Sequence, residues 1–130
     1  MNVLLSINPE YVEAIADGTK RYEFRRTIFR RKDVDRAFVY CTSPVQRIVG
    51  AFLIGRILED TPPRLWAELK SHSGLSKRDY LEYFHGSQRA YAIEIRDFHA
   101  YDVPLDPKEL DPGFVPPQSF SYLEHGFETS

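Results

Sequence analysis

Gly18-Thr19-Lys20-Arg21-Tyr22-Glu23-Phe24-Arg25-Arg26 is the stretch on which the fold turns. Its spacing is Gly-x-Lys-x-x-Glu-x-Arg, so an ammonium, a carboxylate and a guanidinium lie close together in sequence. Gly18 stands where a helix would end, and glycine supplies the left-handed residue such an end requires. Arg21 to Arg25 alternates and carries two aromatics, the pattern of a strand. Tyr22 and Phe24 then face one side, with Arg21, Glu23 and Arg25 on the other. Lys20 lies an odd number of residues from Glu23. The two share a site only if Lys20 belongs to the Gly18 turn and the strand begins after it.

Outward from this stretch the chain is well punctuated. Val3 to Ile7 is a short apolar run and reads as a buried strand. Asn8 is placed to cap a helix from Pro9 to Asp17, with proline at its first position and Tyr11, Val12, Ile15 and Ala16 as its apolar stripe. After the opening stretch, Thr27 to Asp35 reads as a mobile basic loop with Phe29 exposed among the charges. Arg36 to Thr42 is a strand, and Ser43-Pro44 turns the chain. Arg47 to Leu58 is a central strand bent at Gly50 and Gly55. Thr61-Pro62-Pro63 precedes a short helix on Leu65, Trp66 and Leu69 that ends near His72. Ser76 starts a second helix, with Asp79 completing a capping box, Leu75 stapling on Tyr80, and Tyr80, Leu81 and Phe84 as its buried stripe. Ala90 to Phe98 is another strand, which Tyr101 to Leu105 extends or pairs at an edge. The proline-rich tail wraps the body with little regular structure. Strands outnumber helices and connect mostly by turns, which gives an α+β domain with a curled antiparallel or mixed sheet.

Composition bounds the function. The chain has 130 residues, 42% hydrophobic and 28% charged, so one domain spanning 1–130 is expected. A net charge of -2 gives no bulk argument for nucleic acid. The charge is nevertheless polarised. Residues 20–36 hold eight Lys or Arg against three acids, and residues 97–130 hold seven acids against Lys108. The basic segment suits a polyanion; the plainer reading is that the acidic tail packs near it and neutralises it. The lone Cys41 excludes an intramolecular disulfide and reads as a buried, inert thiol. No apolar run reaches membrane-span length, and the N-terminal stretch lacks a basic n-region. A reducing, cytoplasmic setting without membrane contact is expected.

Several chemistries find no motif. There is no HExxH, CxxC or His/Cys cluster, so no metal is expected; His72, His85, His99 and His125 read as surface residues. Neither a phosphate-binding glycine loop nor G-x-S-x-G is present, and no cofactor is implied.

The remaining pattern resembles a known family. Ser6-Ile7, Pro9-Glu10-Tyr11 and Gly18-x-Lys20-x-x-Glu23-x-Arg25 are similar to the ASCH domain of the PUA-like superfamily. Tyr40-Cys41-Thr42-Ser43-Pro44 with Ile48-Val49-Gly50, Phe84-His85-Gly86 leading to Ala90–Ile95, and Pro116–Leu123 follow the same pattern in the same order. The resemblance implies a PUA-like β-barrel of five to six mostly antiparallel strands with flanking helices. It also implies a cleft beside the barrel with the Lys-x-x-Glu-x-Arg residues near its floor. Relatives bind RNA or read modified bases, and some are ribonucleases or amidohydrolases acting on an acylated cytidine.

Lys20, Glu23 and Arg25 are accordingly the candidate site. Lys20 contacts a phosphate or, with a pKa lowered by burial, acts as a base. Glu23 orients its neighbours or accepts a proton or a base N–H, and Arg25 forks onto a phosphate or a base edge. Arg26, Arg30, Arg31 and Lys32 are candidate phosphate contacts, and Phe29 is the candidate stacking ring. The plain alternatives are a salt-bridged strand surface and a solvated basic face. RNA or a single nucleotide, modified or not, is the expected ligand. The alternatives are a metal-independent ribonuclease or N4-acylcytidine amidohydrolase in which Lys20, Glu23 and Arg25 are catalytic, and a protein-interaction module in which the cluster is structural. For the amidohydrolase, the resemblance puts a threonine where this chain has Glu23 and takes a second acid from the helix holding Asp79 and Glu82. The sequence leaves oligomeric state open.

Overall fold

Alternation and apolar runs resolve into six strands in a computed structural model that describes residues 1–127. The elements are β1 (Asn2–Ile7), α1 (Pro9–Asp17), β2 (Tyr22–Arg25), β3 (Arg36–Cys41), β4 (Arg47–Asp60), α2 (Pro62–Leu69), α3 (Lys77–Tyr83), β5 (Ala90–Leu105), α4 (Pro107–Leu110) and β6 (Phe120–Leu123). A single 3₁₀ turn, Lys70–His72, follows α2. The strands form one sheet in the order β2-β5-β4-β3-β1-β6, curled into a half-barrel. β1 pairs with β3 in parallel, and the other neighbours are antiparallel.

β1 shows why the sheet curls. Val3, Leu5 and Ile7 face an inner core with Ile15 of α1, Val39 and Phe52. Leu4 faces the opposite side, with Phe38, Tyr40, Ile48 and Tyr101. A strand apolar on both faces is one covered on both faces. The long β4 and β5 ladder changes register near Gly50, at Ala51/Leu53 and between Ile54 and Ile57, and each shift adds bend. A third core joins the sheet to α2 and α3 through Tyr22, Phe24, Leu65, Leu69, Tyr80 and Phe84. Tyr80 is fully buried, with Phe24 edge-on at 5.3 Å, and its hydroxyl donates to the Pro62 carbonyl at 2.7 Å.

Four local expectations change. Asn8 has extended dihedrals before α1, but its side chain makes no cap; its Oδ1 accepts from the Thr42 hydroxyl at 3.2 Å. Leu81 is exposed, because the stripe of α3 follows Tyr80 and Phe84 only. The tail contains β6, whose backbone pairs along β1 from Asn2 to Leu5. Phe29 is buried, 5% exposed, with its ring edge-on to Phe120 at 5.8 Å. The polar residues around it in sequence hid a core residue, since β6 supplies the apolar surface that covers it. The helix expected to end near His72 stops at Leu69 and reaches His72 through the 3₁₀ turn, and Ser76 caps α3 as expected, accepting from the Asp79 N–H.

Candidate functional site

Gly18 sits at φ 86° and ends α1. The chain then folds back: the Lys20 N–H donates to Ala14 O at 3.0 Å, and the Arg21 N–H to His72 O at 2.8 Å. Lys20 therefore lies in the turn, before β2, and its side chain runs inward beside Gly74. A Cβ on Gly74 would sit 2.5 Å from the Lys20 Cβ, so this glycine makes the room the lysine stem needs.

Only 1% of the Lys20 side chain is exposed. Its Nζ donates to the Ser73 carbonyl at 3.0 Å and stands 3.8 Å from Glu23 Oε1. The rings of Phe24 and Tyr11 lie 4.9 and 5.4 Å from it. Burial lowers the Lys20 pKa to about 8; Glu23 opposes that shift and Arg25 adds to it.

Glu23 Oε2 is 2.9 Å from the Arg25 guanidinium. Arg25 also donates to Ser6 O at 3.0 Å and to Ser119 O at 3.1 Å. One side chain thus ties edge strand β2 to β1 and to the segment entering β6, across the open side of the half-barrel. Its Nε is buried without a hydrogen-bond partner among the described residues. Two buried cations face one buried carboxylate.

These groups form the floor of a cleft of about 450 Å³. Ser6, Asn8 and Tyr11 edge it on the α1 side, Leu75 and Tyr83 on the helical side, and Gln118 and Ser119 on the tail side; Arg26 and Thr27 follow the floor at the end of β2. That volume falls within the range of small-molecule pockets.

The expected site residues divide. Lys20, Glu23, Arg25 and Arg26 come together in the cleft. Arg30, Arg31 and Lys32 are exposed and do not line it. The backbone N–H groups of Arg30 and Arg31 donate to the Tyr122 hydroxyl, and Arg31 pairs with Asp33 at 2.7 Å. The tail does pack on the basic loop, through Phe120 and Tyr122; of its acids, Glu128 lies outside the described residues. Phe29 is absent from the cleft because it is core. Asp79 and Glu82 are exposed and do not line the cleft, Glu82 being paired with Arg78. Among the described residues no three His, Cys, Asp or Glu side chains cluster as metal ligands, and no helix is long and apolar enough to cross a membrane.

The ASCH domain profile matches residues 5–100, which include the floor motif and the returning strand. The chain belongs to the ASCH domain family. It is 34% identical over 122 residues to an ASCH domain-containing ribonuclease of Zymomonas mobilis, covering 92% of this chain and 82% of that one. A crystal structure of ASCH from Zymomonas mobilis superposes with a TM-score of 0.87 at 32% identity, over 95% of this chain and 87% of that chain. The N-terminal domain of Staphylothermus marinus McrB shares the fold alone, with a TM-score of 0.55 at 10% identity.

Sequence reasoning missed part of this ASCH cleft. Ser73 is the closest polar partner of Lys20 yet lies 53 residues away, and nothing local marks its carbonyl. Tyr11 read as a helix and family-motif residue, and Tyr83 was not singled out; neither was expected to line the cleft. Gln118 and Ser119 were visible within the closing segment, though not as a cleft wall.

Proposed function

We propose that this ASCH domain binds single-stranded RNA and seats one nucleotide in the cleft over Lys20 and Glu23. The observation that carries this reading is the buried floor, where two cations outnumber one carboxylate beneath an opening of nucleotide size. Burying such charges is costly, and a purely structural cluster gains little from an excess cation. Lys20 donates to Ser73 and faces Glu23 at 3.8 Å, which leaves one of its three N–H groups for an acceptor in the cleft. Arg25 is spent on Glu23, Ser6 and Ser119, so its part is to hold Glu23 and the walls in place. Arg26 at the rim and the basic loop beyond it suit the flanking phosphates. A relative named as a ribonuclease agrees with an RNA ligand.

The lowered pKa of Lys20 favours a second reading, in which the bound RNA is cleaved. A neutral Lys20 amine takes the proton of a ribose 2′-hydroxyl. The 2′-oxygen attacks phosphorus, the bond to the 5′-oxygen breaks, and that oxygen leaves with a proton from solvent. A cyclic phosphate remains.

Fluorescence anisotropy with a labelled single-stranded RNA tests both readings. Wild type is expected to bind at low salt and weaken as salt rises, with Lys20→Met much weaker. Absence of binding at low salt, or equal binding by Lys20→Met, overturns the proposal. A gel of the same mixtures reports cleavage, and equal turnover by both proteins removes Lys20 from the chemistry.

A further inference from the structure

Three aromatic rings line the cleft, and they are not equivalent. Phe24 is 5% exposed, held edge-on by Tyr80 and Phe84, with the Lys20 ammonium over its ring. Tyr11 shares that ammonium. Tyr83 differs. It is half-buried near the end of α3, it braces on Phe84 at 4.8 Å and 79°, and its face carries the guanidinium of Arg26 at 4.9 Å. Arg26 is exposed, and among the described residues no hydrogen bond or ion pair holds that guanidinium elsewhere. A flat, delocalised cation thus rests on an aromatic face at the cleft, and among the described residues the ring is its one recorded partner. An exposed contact of this kind is weak, so a larger flat group that stacks better displaces it.

We propose that Tyr83 is the stacking surface for one unpaired nucleobase, and that Arg26 leaves the ring to contact the adjoining phosphate when the base arrives. This rests on the reading of the cleft as an RNA site and adds the orientation. The base lies on the helical wall against α3, the edge it turns inward meets the Lys20 and Glu23 floor, and the phosphate stays at the rim. Duplex RNA cannot offer a base face without unstacking it, so the ligand class is single-stranded.

The test is anisotropy with one labelled, short single-stranded RNA of mixed sequence, titrated at several salt concentrations. Tyr83→Phe keeps the ring and is expected to bind within about twofold of wild type. Tyr83→Leu keeps apolar packing on Phe84, removes the stack, and is expected to lose about tenfold or more. Arg26→Gln is expected to reduce the salt slope by about one, while Tyr83→Leu leaves that slope unchanged. Thermal melts of each variant establish that the fold is intact. If Tyr83→Leu binds like wild type, the stacking role is wrong while the cleft reading stands. If Tyr83→Leu alters the salt slope as Arg26→Gln does, the ring serves only to place the arginine, and the inference fails. If wild type binds no RNA, the cleft reading itself falls.

Discussion

Replacing Lys20 by methionine keeps the stem and removes the charge, and the result should separate a ligand site from a structural salt bridge. Lys20 titrates at about 8 in the folded protein against an ordinary value of 10.5. The folded state therefore holds the proton less well than the unfolded chain. Below the folded value both states are protonated and the whole penalty, about 3 kcal/mol, opposes folding. As the pH rises from 8 towards 10.5 the folded protein is neutral there while the unfolded chain is still charged, and stability is regained. Between about pH 7 and about pH 9.5 the recovery is about 2 kcal/mol. Lys20→Met never pays this penalty, though it strips the Ser73 carbonyl of its donor, a loss of about 1–2 kcal/mol. The variant should thus be as stable as wild type near neutral pH, or more stable by up to about 2 kcal/mol. Wild type should then gain about 2 kcal/mol on it by about pH 9.5. Urea denaturation in phosphate-free buffers, read by the fluorescence of Trp66 packed on Tyr80, measures both. A variant that is several kcal/mol less stable, or a difference that stays flat with pH, would mean that burial does not penalise the charged lysine.

Other substitutions probe the supporting structure. Phe29→Ala should lower stability by about 3–5 kcal/mol, because the ring is core against Phe120; urea curves unchanged from wild type would return Phe29 to the surface. Arg25→Met leaves Glu23 buried without its 2.9 Å partner and should cost about 3–5 kcal/mol. Arg25→Lys should recover little of that, since one ammonium cannot span Glu23, Ser6 O and Ser119 O; full recovery in a thermal melt would contradict the bridging role. Tyr80→Phe should cost about 1 kcal/mol or somewhat more by leaving the Pro62 carbonyl without its donor. An unchanged unfolding midpoint would show that water replaces the hydroxyl.

Much of this was legible from local chemistry. Pro9 and Gly18 bounded α1 because one residue fixes its dihedral and the other permits the left-handed end. The odd spacing of Lys20 and Glu23 placed the lysine in the turn, where it lies. What stayed hidden depends on distant partners. Phe29 sits among charges in sequence and is buried in the inner core, with Phe120 of the returning β6 against its edge. Ser73 meets Lys20 through the path of the turn after α2, and Arg25 is committed to carbonyls from both ends of the chain. Periodicity reports which face of an element is apolar; it does not report which carbonyl that face will meet.

Amide chemical-shift mapping reports whether one nucleotide of RNA occupies the Lys20 and Glu23 cleft. Titrating the isotope-labelled protein with a short single-stranded RNA should move the amides of Tyr11, Lys20, Glu23, Arg26, Tyr83 and Ser119 together and saturably. Shifts confined to the exposed Arg30–Lys32 segment or to the far side of the sheet, with the cleft amides still, would place the RNA outside the cleft.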